Sequence, residues 1–153
     1  MLDRLFPSRA DNSFEGHRAA IWLLGLLIAL RFVVSVNSIL NTASVAAGAD
    51  GIPLGRFGPE AGREVLTLFA LIAVGQLASA LIGLAVLIRY RALLPLFYLV
   101  SLGEQLARRL VVRMHEAPTY GSPVAAYVTW TVFGLLVAGL VLSFLPARPR
   151  KEI

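Results

Sequence analysis

The sequence contains no cysteine, and this absence excludes several classes of chemistry. Disulfide exchange, thiolate catalysis, cysteine-ligated zinc, iron–sulfur clusters and covalently attached c-type haem all require the missing thiol. Histidine is scarce as well, since only His17 and His115 are present, and the topology derived below puts them at opposite ends of the protein. They therefore cannot ligate one b-type haem, and His115 beside Glu116 is too small a set for a metal ion. We expect no metal and no cofactor.

Charged residues are also few. They make up 15% of the 153 residues, whereas roughly a quarter of an ordinary soluble domain is charged. Hydrophobic residues account for 58%, and the mean hydropathy is +0.76. A chain this apolar lacks the polar surface that a soluble domain of its size needs. We infer that lipid is its solvent.

Four apolar segments are long enough to cross a bilayer, whose hydrocarbon core of about 30 Å needs about 20 helical residues. The segments cover residues 19–40, 64–88, 92–112 and 123–145. The sequence therefore predicts an all-α, integral membrane bundle of four transmembrane helices in one domain, with a loop at 41–63 and a tail at 146–153. A signal peptide competes for the first segment, because Ser44-Val45-Ala46 resembles a cleavage site. That apolar stretch is too long for a signal peptide, and Arg31 interrupts it.

Basic residues predict the orientation of these helices. Eight lie on the side of the two termini: Arg4, Arg9, Arg18, Arg89, Arg91, Arg148, Arg150 and Lys151. Three lie on the other side, namely Arg56, Arg63 and Arg113. Cytoplasmic loops carry the excess of Lys and Arg, so both termini are predicted to be cytoplasmic. The net charge of +5 is thus explained by topology and headgroup contact, and we expect no nucleic-acid partner.

Ionisable residues inside the predicted helices are the main candidates for a site. Arg31 and Glu104 each lie twelve residues into their segment, at a depth of about 18 Å, so the two can meet if their helices touch. Polar residues continue on the same helix faces and complete a candidate ligand-binding set: Arg31, Ser35, Ser38, Glu104, Gln105 and Arg108. Charge inside a membrane normally has a partner and a purpose. A buried ion pair that only fixes helix register and an outward-facing ligand cavity between the first and third helices both remain open.

Small residues predict close helix packing. Gly75, Ser79 and Gly83 recur every fourth residue in the second segment, and Gly134 and Ala138 do so in the fourth. Such spacing lets a neighbouring helix approach closely.

The stretch from Gly75 to Leu96, GQLASALIGLAVLIRYRALLPL, resembles the second helix and following turn of DoxX-like small membrane proteins. The position of Arg31 in the first segment also resembles the first helix of that family. The first segment departs from the family, because Ser35, Ser38 and Asn41 replace its usual glycines and lysine. The resemblance implies a four-helix architecture and an association with membrane-bound redox or quinone-linked enzymes. It transfers no catalytic residue.

The sequence favours an accessory or assembly subunit of a larger membrane complex, because packing motifs are present and catalytic motifs are not. The alternative is a binding or transfer protein for a small amphipathic or anionic ligand, such as a quinone or a lipid. A transporter is less favoured, since four helices rarely form an alternating-access path alone. An enzyme is less favoured still, because no nucleophile or metal set is recognisable. We expect the bilayer as partner, association with a complex or with further copies, and a bacterial inner (cytoplasmic) membrane location.

Overall fold

The computed structural model describes residues 2–115 and 122–146. Within these ranges the chain forms α1 (Leu2–Leu5), α2 (Ala19–Leu40), α3 (Thr42–Gly48), α4 (Pro59–Arg89), α5 (Leu94–Met114) and α6 (Pro123–Phe144). Short 3-10 turns at Leu54–Arg56 and Arg91–Leu93 precede α4 and α5. The extended structure recorded in the described ranges is one isolated bridge between Gly16 and Pro146. The predicted all-α class is confirmed.

In the part of the chain that the structure describes, three helices are long and apolar enough to cross a membrane: α2, α4 and α6, of 22, 31 and 22 residues. This confirms the coarse prediction of a multi-pass membrane protein. The fifth helix, α5, is 21 residues long, but it carries Glu104, Arg108, Arg109 and Arg113 and is not one of the three. A fourth membrane crossing therefore remains a prediction.

Two boundaries of the helices differ from those of the apolar segments. The second apolar helix begins at Pro59 rather than at residue 64, because proline suits the first helical position and Glu60 favours the positive end of the helix dipole. The predicted loop at 41–63 is shorter than expected, since α3 occupies its first part and α4 its last. The backbone turns at Asn41, with φ −119° and ψ 40°, and separates α2 from α3. The predicted tail beyond residue 146 lies outside the described residues.

The four long helices pack side by side. Helix α2 lies along both α4 and α6, and α5 packs on α6 while touching α4 more sparsely. This arrangement places α2 and α5 across from each other. The core between them contains Leu24, Ile28, Leu94 and Tyr98, all buried. Most other large apolar side chains are exposed, as expected for helices whose outer faces contact lipid.

The residues before α2 fold over one end of the helices. The Arg4 guanidinium donates a hydrogen bond to the Phe144 carbonyl at 2.9 Å, and His17 N donates to the Leu142 carbonyl at 3.0 Å. Gly16 lies against the Ser143 carbonyl, where a Cβ would collide with that oxygen. We call this end, formed by residues 4–18 and 89–93, the arm end, and the opposite end, with α3 and the following loop, the loop end.

Candidate functional site

Glu104 is held between two arginines. Arg31 Nη2 donates a hydrogen bond to Glu104 Oε2 at 2.8 Å. Arg108 donates from Nε and Nη2 to Glu104 Oε1, at 3.2 and 2.9 Å. The equal depth of Arg31 and Glu104 in the sequence predicts this contact, and the structure contains it. We call Arg31, Glu104 and Arg108 the charge cluster.

Local helix geometry positions each member of the charge cluster. Glu104 and Arg108 are four residues apart on α5, so they lie on one face one turn apart. Arg31 belongs to α2 and reaches across to α5 with its long side chain. Ser35, which is buried, donates its hydroxyl hydrogen bond to the Arg31 carbonyl at 2.7 Å. Its role in this structure is therefore local to α2.

The charge cluster carries a net charge of +1, because it contains two guanidinium groups and one carboxylate. The side chains of Arg31 and Glu104 are 20% and 29% exposed, and that of Arg108 is 42% exposed. The other carboxylates of the long described helices, Glu60 and Glu64, lie fifteen or more residues from mid-helix Ser79 of α4, which is at least about 22 Å. Neither forms a salt bridge with a member of the charge cluster, whose salt bridges in the described residues are those with Glu104.

A groove of about 280 Å³ leads to the charge cluster between α4 and α5. It is open to the side, where these two helices contact each other sparsely. Its walls nearer the arm end are apolar: Ile82, Val86, Leu93, Leu96, Phe97 and Val100. At mid-length its lining becomes polar, with Arg31, Ser79, Ser101 and Glu104. The groove therefore combines an apolar channel with a charged end.

The groove differs from the predicted cavity in its walls. The sequence places a cavity between the first and third predicted helices, which correspond to α2 and α5, whereas the groove lies between α4 and α5. The reason is that α2 lies across from α5, and Arg31 is its one residue in the lining. Ser38 is buried on α2, and half-buried Gln105 and exposed Arg108 lie outside the lining, where Arg108 binds Glu104.

Arg109 has a different environment from Arg108. Its guanidinium lies over the Trp130 ring of α6, 3.9 Å from the ring centroid, and 4.6 Å from the centroid of Phe133. Trp130 and Phe133 pack edge to face. Arg109 therefore joins α5 to α6 and leaves Arg108 as the α5 arginine of the charge cluster. Sequence reasoning missed this contact, since it requires the rotation of α6.

The predicted packing residues divide into two groups. Gly83 is buried, and a Cβ there would lie 2.6 Å from Phe97 Cζ and 3.1 Å from Ile28 Cγ1. Ser79 donates its hydroxyl hydrogen bond to the Gly75 carbonyl of its own helix at 3.1 Å. Gly75, Gly134 and Ala138 are exposed, with nothing within 4 Å of a Cβ on either glycine. Among the described residues, these three are not sites of close helix packing. In α6 the close contact is made by Gly139, which lies against the Tyr98 ring.

Among residues 2–115 and 122–146 there is no group of three or more His, Asp or Glu residues that could hold a metal ion. Comparisons with protein families, curated proteins and solved structures found no match to this chain.

Proposed function

We propose that this protein binds a small amphipathic ligand, such as a quinone or a lipid, in the groove between α4 and α5. The observation that carries the proposal is the change in the groove lining from six apolar side chains to Arg31, Ser79, Ser101 and Glu104, with Arg108 bound to Glu104 beside the lining. Ligand sites are mostly apolar with a few placed polar groups, and this groove has that composition. The arginine N–H groups are donors for the oxygen atoms of a polar head, and the apolar walls accommodate a hydrocarbon tail.

The depth of the groove matches such a ligand. Leu93, at the arm end, and Glu104, in the charge cluster, are eleven residues apart, which is about 16 Å along a helix. A head bound at Glu104 directs its tail toward Leu93. The head then lies near the middle of the membrane. A charged side chain at that depth is costly, so its presence there indicates a function.

The membrane setting of this proposal is a bundle of four transmembrane helices with both termini in the cytoplasm of a bacterium, in its inner membrane. Helix α5 has 21 residues, a length of about 31 Å, which suffices for a fourth crossing. Its charged residues would face the groove and α6 rather than lipid. The excess of basic residues on the side of the termini supports the orientation.

Cysteine labelling tests this topology cleanly, because the chain has no cysteine of its own. Ser8→Cys and Gly55→Cys each introduce one thiol at an exposed position, the first at the arm end and the second at the loop end. In intact cells, a membrane-impermeant maleimide should label the Gly55 variant and leave the Ser8 variant unlabelled until the cells are lysed. Labelling of both before lysis would contradict the proposed topology.

Native mass spectrometry of the full chain in native-lipid discs tests the ligand proposal. The wild-type protein should retain a small amphipathic molecule. Val100→Trp fills the groove from an exposed position and should abolish retention. Val141→Trp makes the same change at an exposed position of α6 away from the groove, and retention should persist. Equal retention in both variants, or none in the wild type, would overturn the proposal.

An accessory or assembly subunit is the second candidate function, supported by the exposed small residues of α6. Gly134 and Ala138 leave a shallow outward surface, on which another helix could approach closely. Affinity purification from the native membrane should then yield a stoichiometric foreign subunit, and Gly134→Leu should release it. A homogeneous preparation of this chain alone would contradict this second candidate.

A further inference from the structure

We propose that the ligand of the groove is a monoanionic amphiphile with one hydrocarbon chain, and that its head is a carboxylate. This inference rests on the proposed ligand groove and specifies the substrate class that the groove selects. It makes a neutral head, such as that of a quinone, the disfavoured alternative.

The first argument is charge balance. The charge cluster has a net charge of +1, and the nearest carboxylate of α4 along that helix, Glu64, lies about 22 Å from Ser79, the polar residue of α4 in the groove lining. An uncompensated charge in a medium of low dielectric constant costs several kcal/mol even after relaxation. One negative charge brings the cluster to neutrality. A phosphate monoester carries about −1.5 to −2 and would leave the site with excess negative charge.

The second argument is the number of N–H donors. A guanidinium has five N–H groups. In the described hydrogen bonds, the Arg31 side chain donates one to Glu104 and the Arg108 side chain donates two. Both arginines thus retain N–H groups for a second acceptor. Their planar forks match the two oxygens of a carboxylate, and hydrogen bonds of this kind are the stronger, charge-assisted type.

The third argument is the size of the groove. Its volume of about 280 Å³ is just below the range for small-molecule sites, which is about 300–1,000 Å³. A narrow groove with one apolar channel fits one chain better than the two chains of a membrane phospholipid. The Phe97 ring and the exposed Val100 side chain form its wall next to the charge cluster.

The exposure of the arginines indicates how the head is oriented. Arg108 is the most exposed member of the charge cluster, at 42%, and it lies one turn nearer the loop end than Glu104. The head therefore faces the loop end, while the tail follows the apolar walls toward the arm end. An amphiphile in the membrane leaflet at the loop end has this same orientation.

Electron paramagnetic resonance with nitroxide-labelled amphiphiles tests the inference. The full chain is placed in phosphatidylcholine nanodiscs, and three probes with the same labelled chain are compared: stearate, stearyl alcohol and stearylammonium. The measured quantity is the immobilised fraction of each probe relative to protein-free discs. We expect stearate to bind about tenfold or more tightly than the alcohol, since hydrogen bonds to charged groups contribute at least this factor. Stearylammonium should bind most weakly.

Charge variants make the test specific. Arg108→Gln reduces the net charge of the cluster to zero and should weaken stearate binding about tenfold, while the alcohol is unaffected. Glu104→Gln raises the net charge to +2 and should strengthen stearate binding. Arg113→Gln removes one arginine elsewhere on α5 and should change neither probe. Because the first two variants change binding in opposite directions, loss of folding cannot imitate the result.

The outcomes separate this inference from the proposed function. If all three probes bind equally and Val100→Trp displaces them, the groove binds amphiphiles but does not select charge, and the inference fails alone. If no probe is immobilised beyond the annular lipid, or Val100→Trp displaces none, the ligand groove itself is refuted. If stearate binding is unchanged by Arg108→Gln and Glu104→Gln, the charge cluster is not its binding site.

Discussion

Arg31 of α2 and Glu104 of α5 form a hydrogen-bonded ion pair of 2.8 Å, although 73 residues separate them in the sequence and their helices lie across from each other. Arg108 binds the second oxygen of the same carboxylate. The pair therefore ties together two helices that share few backbone contacts. It also brings Arg31 and Glu104 to the polar end of the groove, with Arg108 next to them on α5.

A double-mutant cycle measures this pair. Arg31→Met or Glu104→Gln alone leaves the other charge without its partner, and we expect each to lower the free energy of unfolding by about 1–3 kcal/mol. This range is below that for fully buried pairs, because both side chains are partly exposed. The double variant should lose less than the sum of the two. Unfolding in mixed micelles measures all four proteins, and additive losses would contradict a direct interaction.

The glycines provide a second prediction with controls in the same helices. Gly83→Ala and Gly139→Ala place a Cβ against Phe97 and Tyr98, and each should lower the free energy of unfolding by about 1–3 kcal/mol. Gly75→Ala and Gly134→Ala meet open space, and we expect them to be neutral or to stabilise by about 0.5–1 kcal/mol. Equal effects within either helix would contradict the packing.

The sequence predicts the apolar helices well because their length and composition alone mark them. It also predicts the Arg31–Glu104 contact, since equal depth in two parallel helices brings these residues to one level. It does not predict which stripe of a helix faces inward. In a membrane the outer face is as apolar as the core, so Gly134 and Gly139 of α6 look equally suited to packing.

Helix geometry explains the divided behaviour of Gly75 and Gly83. An α-helix has 3.6 residues per turn, so positions eight apart differ by about 80° around its axis. The stripe therefore turns from the outer face at Gly75 to the core at Gly83. The walls of the groove could not be predicted for a related reason. The depth of a residue in the membrane does not show which helices are neighbours.

The buried hydrogen bond of Tyr98 is expected to contribute to the free energy of unfolding. Its hydroxyl donates to the Ala20 carbonyl at 2.7 Å, and the side chain is fully buried. Tyr98→Phe should lower the free energy of unfolding by about 1 kcal/mol, with the ring packing retained. Tyr127→Phe, at a position 74% exposed, is the matched control and should have no effect. Identical unfolding of the two variants would refute the contribution of the Tyr98 hydroxyl.

Asp11, in the segment before α2, gives a pH-dependent prediction. Hydrogen bonds from the Ser13 hydroxyl and backbone N–H hold the pKa of the Asp11 carboxyl below its usual range. A carboxyl with a lowered pKa in the folded state stabilises the fold when the pH is above the ordinary pKa of about 3.9. This contribution is lost as the pH falls through the lowered pKa. Ser13→Ala should raise the pKa of Asp11, whereas Ser8→Ala should not. An NMR titration of the Asp11 carboxyl measures both, and an unchanged pKa in Ser13→Ala would contradict the prediction.

The contact between Arg109 and Trp130 can be observed by fluorescence. The chain has two tryptophans, so Trp22→Phe leaves Trp130 as the reporter. Since the Arg109 guanidinium lies 3.9 Å from the ring centroid, Arg109→Gln should change the emission of Trp130 and cost about 0.5–2 kcal/mol of stability. Arg109→Lys keeps the charge but loses the planar stacking group, so it should give an intermediate change. Arg113→Gln removes the same charge one turn further along α5 and should leave the emission unchanged. If Arg113→Gln shifted it as much as Arg109→Gln, Trp130 would be sensing the general field of the helix rather than one stacked guanidinium.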